Sequence, residues 1–378
     1  MTAEKKKIVE IGQEIKAEIC AISDFMYHNP ELGNREFLAA EKLTAFLKNN
    51  GFTVTMPVLD IETAFTAVFD TGKPGKSVVF ICEYDALPEI GHACGHNMIG
   101  AMSIGAGVAL SKVATSGKIY VYGSPAEETN GGKVAMAEHG LFDGITAALM
   151  IHPSTDTRES GTSAAMEAIE FAYKGHTAHA AGCPEKGINA LNAVIQLFNG
   201  IDALRQHVTP DVRMHGVINR GGVAANIVPD DACAQFYLRS ATKENLALVK
   251  EKVLKIAEGA ALITGATLTT RNYELSYDDL KTNQPLQTAF TENLKALGIT
   301  EIKPALRGAG SSDIGNVSNV IPTIHPYLSI STQPLIGHTR ELADATITDY
   351  AHDQLVTGAV VLAQTGLDVL EGLELTAS

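Results

Sequence analysis

Three short apolar segments separated by helical patterns constrain this chain more than any other feature. Residues 77–82, 118–122 and 147–151 are rich in β-forming residues and are bounded by Gly, Lys or acidic residues, as buried strands are. Helical patterns cover residues 98–110 and 132–139 between them. Strands that alternate with helices predict a mostly parallel sheet with helices on both faces.

Acidic or imidazole side chains follow each of these predicted strands. Glu83 and Asp85 come after the first strand, Glu127 and Glu128 after the second, and His152 directly after the third. Ligands of open α/β sheets bind beyond the carboxyl ends of the strands. We therefore expect these side chains to converge on one site at that edge of the sheet.

The pattern changes after residue 165. Alternating strands and amphipathic helices follow in the order strand, helix, strand, strand, helix, strand. The strands are predicted at 168–174, 214–220, 232–239 and 267–273, and the helices at 189–204 and 244–263. This order is typical of a small α+β sandwich whose sheet has one open face.

The chain is therefore predicted to be an α/β protein with a discontinuous, helix-covered catalytic domain. Residues 1–165 form the first part of that domain and residues 279–378 form the second. The insertion between them, residues 166–278, is the α+β sandwich. A chain of 378 residues is long enough to give each of these two domains its own core.

The charge and hydropathy of the chain exclude several classes of partner. Its 29 basic and 43 acidic residues give a net charge of −14, and the longest basic cluster is the run of three lysines at 5–7. Nucleic acid and anionic membrane surfaces are therefore not expected partners. No apolar run reaches the roughly 18 residues that a membrane span requires. The first residues have a helical apolar pattern and not that of a signal peptide, so a cytoplasmic location is expected.

Cys94 differs from the other four cysteines, which are predicted to be reduced thiols that pack in the interior. It lies with His96 in the sequence G-H-A-C-G-H-N, just before the predicted helix at 98–110. A thiolate near a helix N-terminus is stabilised by the helix dipole and by free N–H groups. A C-x-H pattern alone is weak, because most buried cysteines only pack. The acids and His152 on neighbouring strand ends favour a metal site here.

The adjacent pair Glu127 and Glu128 allows a division of labour. One carboxylate can coordinate a metal while the other takes a proton from water. A solvated acidic turn is the alternative, but this pair follows a buried strand and precedes Gly131 and Gly132. His152 also has an alternative role, as a hydrogen-bonded core histidine. Cys, His and carboxylate ligands suit Zn²⁺, Mn²⁺ and Co²⁺ alike, so the ligand types leave the metal open.

Five motifs carry a family resemblance. E-Y-D-A-L-P, H-A-C-G-H-N, P-A-E-E, I-H-P and G-H-T-A-H-A occur in this order. With these motifs the chain resembles the M20 metallopeptidases over nearly its whole length, from His28 to the region of His338. It is most similar to the branch of amidohydrolases that contains N-acyl-amino-acid hydrolases, aminobenzoyl-glutamate hydrolase and M20 domain-containing dipeptidases. The resemblance implies that the insertion is a lid and dimerisation domain, and that the chain forms a homodimer.

The resemblance also implies a set of metal ligands. Cys94 would bridge two divalent metal ions, His96 and His152 would bind one of them, and Glu128 and His338 would bind the other. Zn²⁺ or Mn²⁺ are the expected ions, with Co²⁺ or Ni²⁺ as alternatives.

Other positions near these ligands take supporting roles in the same resemblance. Glu127 would be the general base and acid, and Asp85 would orient the site from behind the ligands. Glu83 stands where other branches have a ligand histidine, so it is not predicted to be a ligand. Asn97 replaces the aspartate of the auxin-conjugate hydrolases, which favours the aminobenzoyl-glutamate and dipeptidase side of the branch. His325 competes with His338 as the last ligand.

The insertion contributes residues of its own. His179 in G-H-T-A-H resembles the lid histidine that reaches the partner subunit's active site and stabilises the tetrahedral oxyanion. Asn226 and Arg239 match the pair that holds the substrate carboxylate in carboxypeptidase members, and a planar guanidinium suits that task. The alternative for Arg239 is a cap on a sheet edge, and His176 is predicted to be a structural residue.

The sequence therefore predicts metal-dependent hydrolysis of an amide bond, by metal-activated water with Glu127 as general base. The substrate would be a small N-acyl amino acid, an aminobenzoyl-glutamate-like compound or a dipeptide with a free carboxylate. A non-catalytic protein that binds metal or small carboxylates is the alternative. A serine hydrolase is disfavoured because no G-x-S-x-G motif occurs. A nucleotide-binding loop is disfavoured because Gly105 and Gly107 lie inside a helix pattern.

Overall fold

The computed structural model describes residues 1–308 and 310–376 and divides into two compact units. The first, here called the body, comprises Met1–Thr162 and Leu280–Ser378. The second, the insert, comprises Ser163–Asp279. Within the described residues, no helix combines the length and the apolar character needed to cross a membrane.

The helices and strands are numbered along the chain. The helices are α1 (Ala3–Glu14), α2 (Lys16–His28), α3 (Phe37–Asn49), α4 (His96–Ser111), α5 (Gly132–Glu138), α6 (Ala190–Leu204), α7 (Lys243–Thr264), α8 (Gln284–Ala296), α9 (Ile314–Ser318), α10 (Arg340–Ala345) and α11 (Asp349–Leu370). The strands are β1 (Thr53–Thr55), β2 (Phe65–Asp70), β3 (Ser77–Cys82), β4 (Lys118–Gly123), β5 (Ala147–Leu149), β6 (His152–Ser154), β7 (Ala165–Lys174), β8 (Arg213–Arg220), β9 (Asp231–Ser240), β10 (Thr267–Asn272), β11 (Thr323–Ile324) and β12 (Tyr327–Ser329). Short 3₁₀ helices cover Pro184–Lys186 and Arg205–His207.

The body is built on a mixed sheet with the strand order β1-β2-β4-β3-β5-β11. The pairs β3–β4, β3–β5 and β5–β11 are parallel, whereas β1–β2 and β2–β4 are antiparallel. Every residue of β3 is buried, as expected for a strand that is covered on both faces. The predicted mostly parallel, helix-covered fold is thereby confirmed.

A central helix anchors the body. All residues of α4 are buried, which is the pattern of a helix that is enclosed by other elements. It packs against α11, α2 and β3, and its first turn lies at the carboxyl end of the sheet. Because α4 is held on several sides, the turn that precedes it has a fixed position.

The third predicted strand, 147–151, is shorter than expected. It leaves the main sheet after Leu149, and the chain then pairs with a different partner. Strand β6 forms a separate parallel pair with β12, in which Tyr327 lies opposite His152. The N–H of His152 donates to the carbonyl of Pro326 at 2.9 Å. The change of partner turns His152 out of the main sheet and holds its backbone in place.

The insert is an antiparallel sheet with the order β10-β7-β9-β8. Helices α6 and α7 pack against β7 and β9 and cover one face. The apolar core of the insert lies between helices and sheet, with Phe171, Phe236 and Leu238 among its fully buried side chains. The second face remains open, and burial alternates along β9. The predicted α+β sandwich is confirmed.

Candidate metal centre

A tight turn places Cys94 and His96 side by side. Gly95 between them adopts a φ of 81°, a conformation that favours glycine. A Cβ at this position would also clash with the ring of Pro153. The sequence C-G-H therefore allows the backbone to pass close to β6 while both side chains reach one centre.

Two groups of potential ligands share the sulfur of Cys94. The first group contains Cys94, His96 and His152, whose ligand atoms lie within 4.8 Å of one another. The second group contains Cys94, Glu128 and His338, also within 4.8 Å. The Sγ of Cys94 lies 3.5 Å from Nε2 of His152, and Nε2 of His338 lies 3.4 Å from Oε1 of Glu128. The structure therefore brings together two adjacent groups with one common donor.

Both histidines of the first group direct the same nitrogen into the site. The Nδ1–H of His96 donates to Oδ1 of Asp85 at 2.9 Å, and the Nδ1–H of His152 donates to the carbonyl of Pro153 at 2.7 Å. These bonds fix the tautomer in which Nε2 carries the lone pair, as in metal-ligating histidines. Among the described residues, the buried Nε2 of His96 has no hydrogen-bond partner. A divalent transition metal would satisfy this nitrogen, so the donor set fits such an ion.

Asp85 forms a hydrogen bond with one residue of each group, although it is not a member of either. Its Oδ1 accepts from His96, and its Oδ2 accepts the N–H of Glu128 at 3.0 Å. Burial opposes ionisation of Asp85, but the neighbouring His96 outweighs it and holds the pKa of this carboxyl below its usual range. Asp85 therefore stays charged and can hold one residue from each group.

The protein environment disfavours bare charges at Cys94, His152 and Glu128, whereas the acids around His96 raise its pKa against the effect of burial. Burial raises the pKa of the Cys94 thiol to about 12, with His96 opposing the rise. Burial also lowers the pKa of His152 to about 3 and raises the pKa of Glu128. A cation that shared these ligands would stabilise the thiolate and the carboxylate, because metal ligands must be deprotonated.

His338 and His325 occupy different surroundings. The N–H of His338 donates to the carbonyl of Ala93 at 3.0 Å, which fixes it beside Cys94. His325 is buried, and its ring centroid lies 5.6 Å from that of His152 and 5.3 Å from that of Tyr327. Among the described residues, the groups that could hold a metal include His338 and not His325.

A buried lysine beside the site was not anticipated from the sequence. Lys133, in the first turn of α5, contacts carboxylate oxygens of Glu83 and Asp313. Oxygens of Glu83, Asp313 and Glu127 lie within 4.8 Å of one another. Burial raises the pKa of Glu83 to about 8, with Lys133 and His96 opposing the rise. Glu83 thus pairs with Lys133, and its Oε2 also lies 3.4 Å from Nε2 of His96; that it is not a metal ligand stays a prediction.

The remaining predicted site residues lie in the insert. His179 and Asn226 are exposed neighbours, since the N–H of Ala180 donates to the carbonyl of Asn226 at 3.0 Å. The Nδ1 of His179 accepts the N–H of Gly182 at 3.0 Å, so in the neutral ring Nε2 carries the proton. Arg239 lies on β9, with its guanidinium 5.7 Å from the ring centroid of Tyr237. Its buried Nε has no hydrogen-bond partner within the described part of the chain.

Comparison with known proteins gives consistent matches. Residues 161–264 match the peptidase dimerisation domain of the M20 family. The Xaa-Arg dipeptidase of Mus musculus is 35% identical over 97% of this chain and 89% of its own length. One of the p-aminobenzoyl-glutamate hydrolase subunits of Escherichia coli is 34% identical over 74% of this chain and 62% of its own length.

A solved structure has the same fold. A dinuclear metal-binding peptidase of the M20 family from Bacillus subtilis superimposes with a TM-score of 0.70 at 20% identity, over 95% of this chain and 99% of its own. The match to the mouse protein spans nearly the whole of both chains, so the resemblance that the motifs carry is confirmed. The chain belongs to the M20 family of metallopeptidases and is a hydrolase that acts on peptide or other carbon–nitrogen bonds.

Proposed function

We propose that this chain is a dipeptidase that uses two divalent metal ions to hydrolyse an amide bond next to an amino acid with a free carboxylate. The observation that carries the proposal is the pair of ligand groups that share Cys94. His96 and His152 would hold one ion, and Glu128 and His338 the other. Zn²⁺ or Mn²⁺ suit these ligands best, with Co²⁺ or Ni²⁺ as alternatives. The ions, when bound, would acidify water and polarise the substrate carbonyl.

The body supplies the groups that orient the site and move the proton. A carboxylate oxygen of Glu127 would accept a proton from the attacking water and deliver it to the leaving amine nitrogen. Glu127 adjoins Glu128 in the turn after β4, and its oxygen lies within 4.8 Å of ligand atoms of Glu128 and His96. Asp85 would keep His96 and the backbone of Glu128 in place throughout. Glu127 is thus adjacent to both ligand groups, as a general base must be.

The insert would supply the groups that recognise the substrate. The protonated Nε2 of His179 would donate to the oxyanion of the tetrahedral intermediate in the partner subunit's site. Arg239 and Asn226 would bind the substrate carboxylate, for which the guanidinium of Arg239 offers two parallel N–H donors. The match of residues 161–264 to a dimerisation domain supports a homodimer formed through the insert. We propose a cytoplasmic location for this homodimer.

Dipeptides with a basic C-terminal residue are the preferred substrate class. The support is the mouse Xaa-Arg dipeptidase, which this chain matches over 89% of that protein's length. The match to the aminobenzoyl-glutamate hydrolase protein covers 62% of that protein. Aminobenzoyl-glutamate is therefore the second candidate.

The test is hydrolysis of a small panel by purified protein loaded with Zn²⁺, Mn²⁺ or Co²⁺, with a chelator as control. The panel contains Xaa-Arg, Xaa-Lys and Xaa-Glu dipeptides, N-acetyl amino acids and aminobenzoyl-glutamate. We expect chelator-sensitive cleavage of the dipeptides with basic C-termini. Protein that binds two ions and cleaves no member of the panel would instead support a non-catalytic binding protein.

A further inference from the structure

A carboxylate from a distant segment holds the turn that carries Glu127 and Glu128. Glu36, just before α3, is fully buried. Its Oε1 accepts the N–H of Ala126 at 2.9 Å, and its Oε2 accepts the hydroxyl of Thr63 at 2.8 Å. Ala126 directly precedes the two glutamates. The contact thus joins the N-terminal part of the body to the first residue of their turn.

The backbone of Ala126 needs such support. Its φ is 62°, in the left-handed region that residues with a Cβ rarely adopt. Its carbonyl accepts the N–H groups of Asn130 at 2.9 Å and Gly131 at 2.7 Å. The peptide group on one side of Ala126 is thus held by Glu36 and that on the other side by the turn itself. Together these bonds set the directions in which the next two side chains leave the backbone.

A second contact comes from the same N-terminal segment. A Cβ at Gly33 would clash with Oγ1 of Thr129 and with Cβ of Ala126. Residue 33 therefore packs directly on the turn, with no space for a side chain. The segment that carries Glu36 both touches the turn and binds its backbone.

We propose that Glu36 is a positioning residue of the metal centre, whose carboxylate fixes Ala126 and thereby directs Glu127 and Glu128 towards the ions. Glu36 acts through the backbone and not by contact with substrate. The inference rests on the proposed roles of those two glutamates. Burial raises the pKa of Glu36 to about 7, because the buried site disfavours the charged carboxylate. Mutation of residues that hold metal ligands in place typically weakens metal affinity by about 10–100-fold.

The test compares Co²⁺ binding and turnover in four variants of the full chain. Glu36→Met keeps the side-chain volume but removes both acceptor oxygens, whereas Glu36→Gln keeps one acceptor for Ala126 and a donor for Thr63. Gly33→Ala moves the turn without removing a hydrogen bond. Glu31→Gln is the matched control, because Glu31 also accepts backbone N–H groups, from Leu38 and Ala39, but does so away from the turn.

Co²⁺ titrations report on the centre through the charge-transfer band of the Cys94 thiolate and the visible bands of the ion. We expect Glu36→Met and Gly33→Ala to weaken at least one Co²⁺ site about tenfold or more, as changes behind metal ligands do. Where substrate is cleaved, kcat should fall and KM should stay within about twofold, the signature of a lost transition-state interaction. Glu36→Gln and Glu31→Gln should remain within about threefold of wild type, because the Ala126 contact persists in both.

Three results would overturn the inference. One is wild-type Co²⁺ affinity at both sites in folded Glu36→Met protein. Another is an equal loss of Co²⁺ affinity in Glu36→Gln and Glu36→Met, which would show that the oxygen that accepts the N–H of Ala126 does not position the site. If Glu36→Met does not fold, wild-type binding by Gly33→Ala has the same force. Since Co²⁺ affinity needs no substrate, failure of the proposed dipeptidase activity would be recognised separately, as wild-type protein that binds two ions without turnover.

Discussion

Several carboxyls at the candidate site of the body and two carboxyls of the insert lie in opposite environments. In the body, burial raises the pKa of several carboxyls, among them Glu36 to about 7, Glu83 to about 8 and Asp313 to about 6. In the insert, hydrogen bonds lower the pKa of Asp211, mainly that from the N–H of Ala241, and the bond from Lys174 does the same for Asp230. These carboxyls of the body are therefore desolvated, while Asp211 and Asp230 of the insert keep contact with water and are hydrogen-bonded.

This difference follows from the two kinds of sheet. Parallel strands that are covered on both faces bury whatever follows them, so strand-end residues such as Glu83 and Asp85 lose water. The insert's antiparallel sheet has one open face, and His179 and Asn226, in the segments that follow β7 and β8, are exposed. The body thus pre-organises the candidate ligand groups, whereas the roles proposed for the exposed groups of the insert require substrate or a second subunit. We expect variants in the body to change kcat and metal binding, and variants of the proposed carboxylate-binding residues Asn226 and Arg239 in the insert to change KM.

The largest effect is expected for Glu127→Gln. General acid–base groups contribute about 10²–10⁴-fold to rate, so kcat should fall by about 10³-fold. The amide keeps the size of the side chain but cannot accept a proton, so metal content should remain at two ions per chain. Metal analysis and steady-state kinetics on the same sample check both points.

The Glu127→Gln result also tests whether Glu127 acts as the general base or as a metal ligand. Substantial remaining activity would assign the proton transfer to another group. A fall in metal content would mean that Glu127 is itself a ligand, in which case the kinetic loss would not report on a base.

Asp85→Asn is expected to give the next largest effect, through metal affinity. The amide can still accept from one partner, but Asp85 holds both His96 and the N–H of Glu128. We expect both ions to bind about 10–100-fold more weakly, as after loss of other such outer carboxylates. Competition with a chelator measures the two affinities. The matched control is Asp156→Asn, since Asp156 pairs with Lys303 elsewhere in the body; equal losses in the two variants would refute the special role of Asp85.

Arg239→Met tests the expectation that carboxylate-binding residues of the insert affect KM. If Arg239 binds the substrate carboxylate, KM should rise by about 10–100-fold, in line with the roughly 1.5–3 kcal/mol of a hydrogen bond to a charged group. The kcat should stay within about threefold, because such binding is uniform along the reaction. Arg271→Met is the control, since Arg271 pairs with Glu170 at the edge of the same sheet. A fall in kcat at unchanged KM would place Arg239 outside carboxylate binding.

The sequence predicted elements best where burial is symmetric. Strand 77–82 was predicted at the limits that the structure has, because its apolar run is buried on both faces. The predicted helix at 98–110 begins two residues earlier in the structure, at His96, since Gly95 provides the left-handed turn that the apolar pattern does not register. The strand at 147–151 was predicted too long, because the change of pairing partner after Leu149 depends on β12.

Contacts between distant segments limited the prediction of the site. The residues at strand ends could be gathered from the sheet rule, and the structure brings them together, although their roles stay predictions. Lys133 with Asp313 and Glu36 with Ala126 are pairs separated by 180 and 90 positions. Neither periodicity nor local spacing encodes such pairs, and a lone Lys or Glu in a sequence is usually a solvated residue. The local sign at Lys133 is its position after two glycines, in the first turn of α5, where the neighbouring residues are buried.

The smallest effect is expected from Asp211→Asn in the insert. Asp211 accepts the hydroxyl of Ser240 and the N–H of Ala241, both at 2.8 Å, and these bonds lower its pKa. A carboxyl with a lowered pKa stabilises the fold above its unfolded pKa, and this contribution is lost as the pH falls through the folded value. At pH 7 the variant should therefore melt about 2 °C below wild type. That difference should shrink as the pH falls below about 4, where the aspartate of the unfolded wild-type chain begins to bind protons while the folded one stays charged. Thermal melts from pH 3 to 8, with Asp202→Asn as a surface control, measure the difference in melting temperature.

A difference in melting temperature that stays constant with pH would mean that Asp211 acts by shape and not by charge. It would also remove the insert's side of the contrast between insert and body.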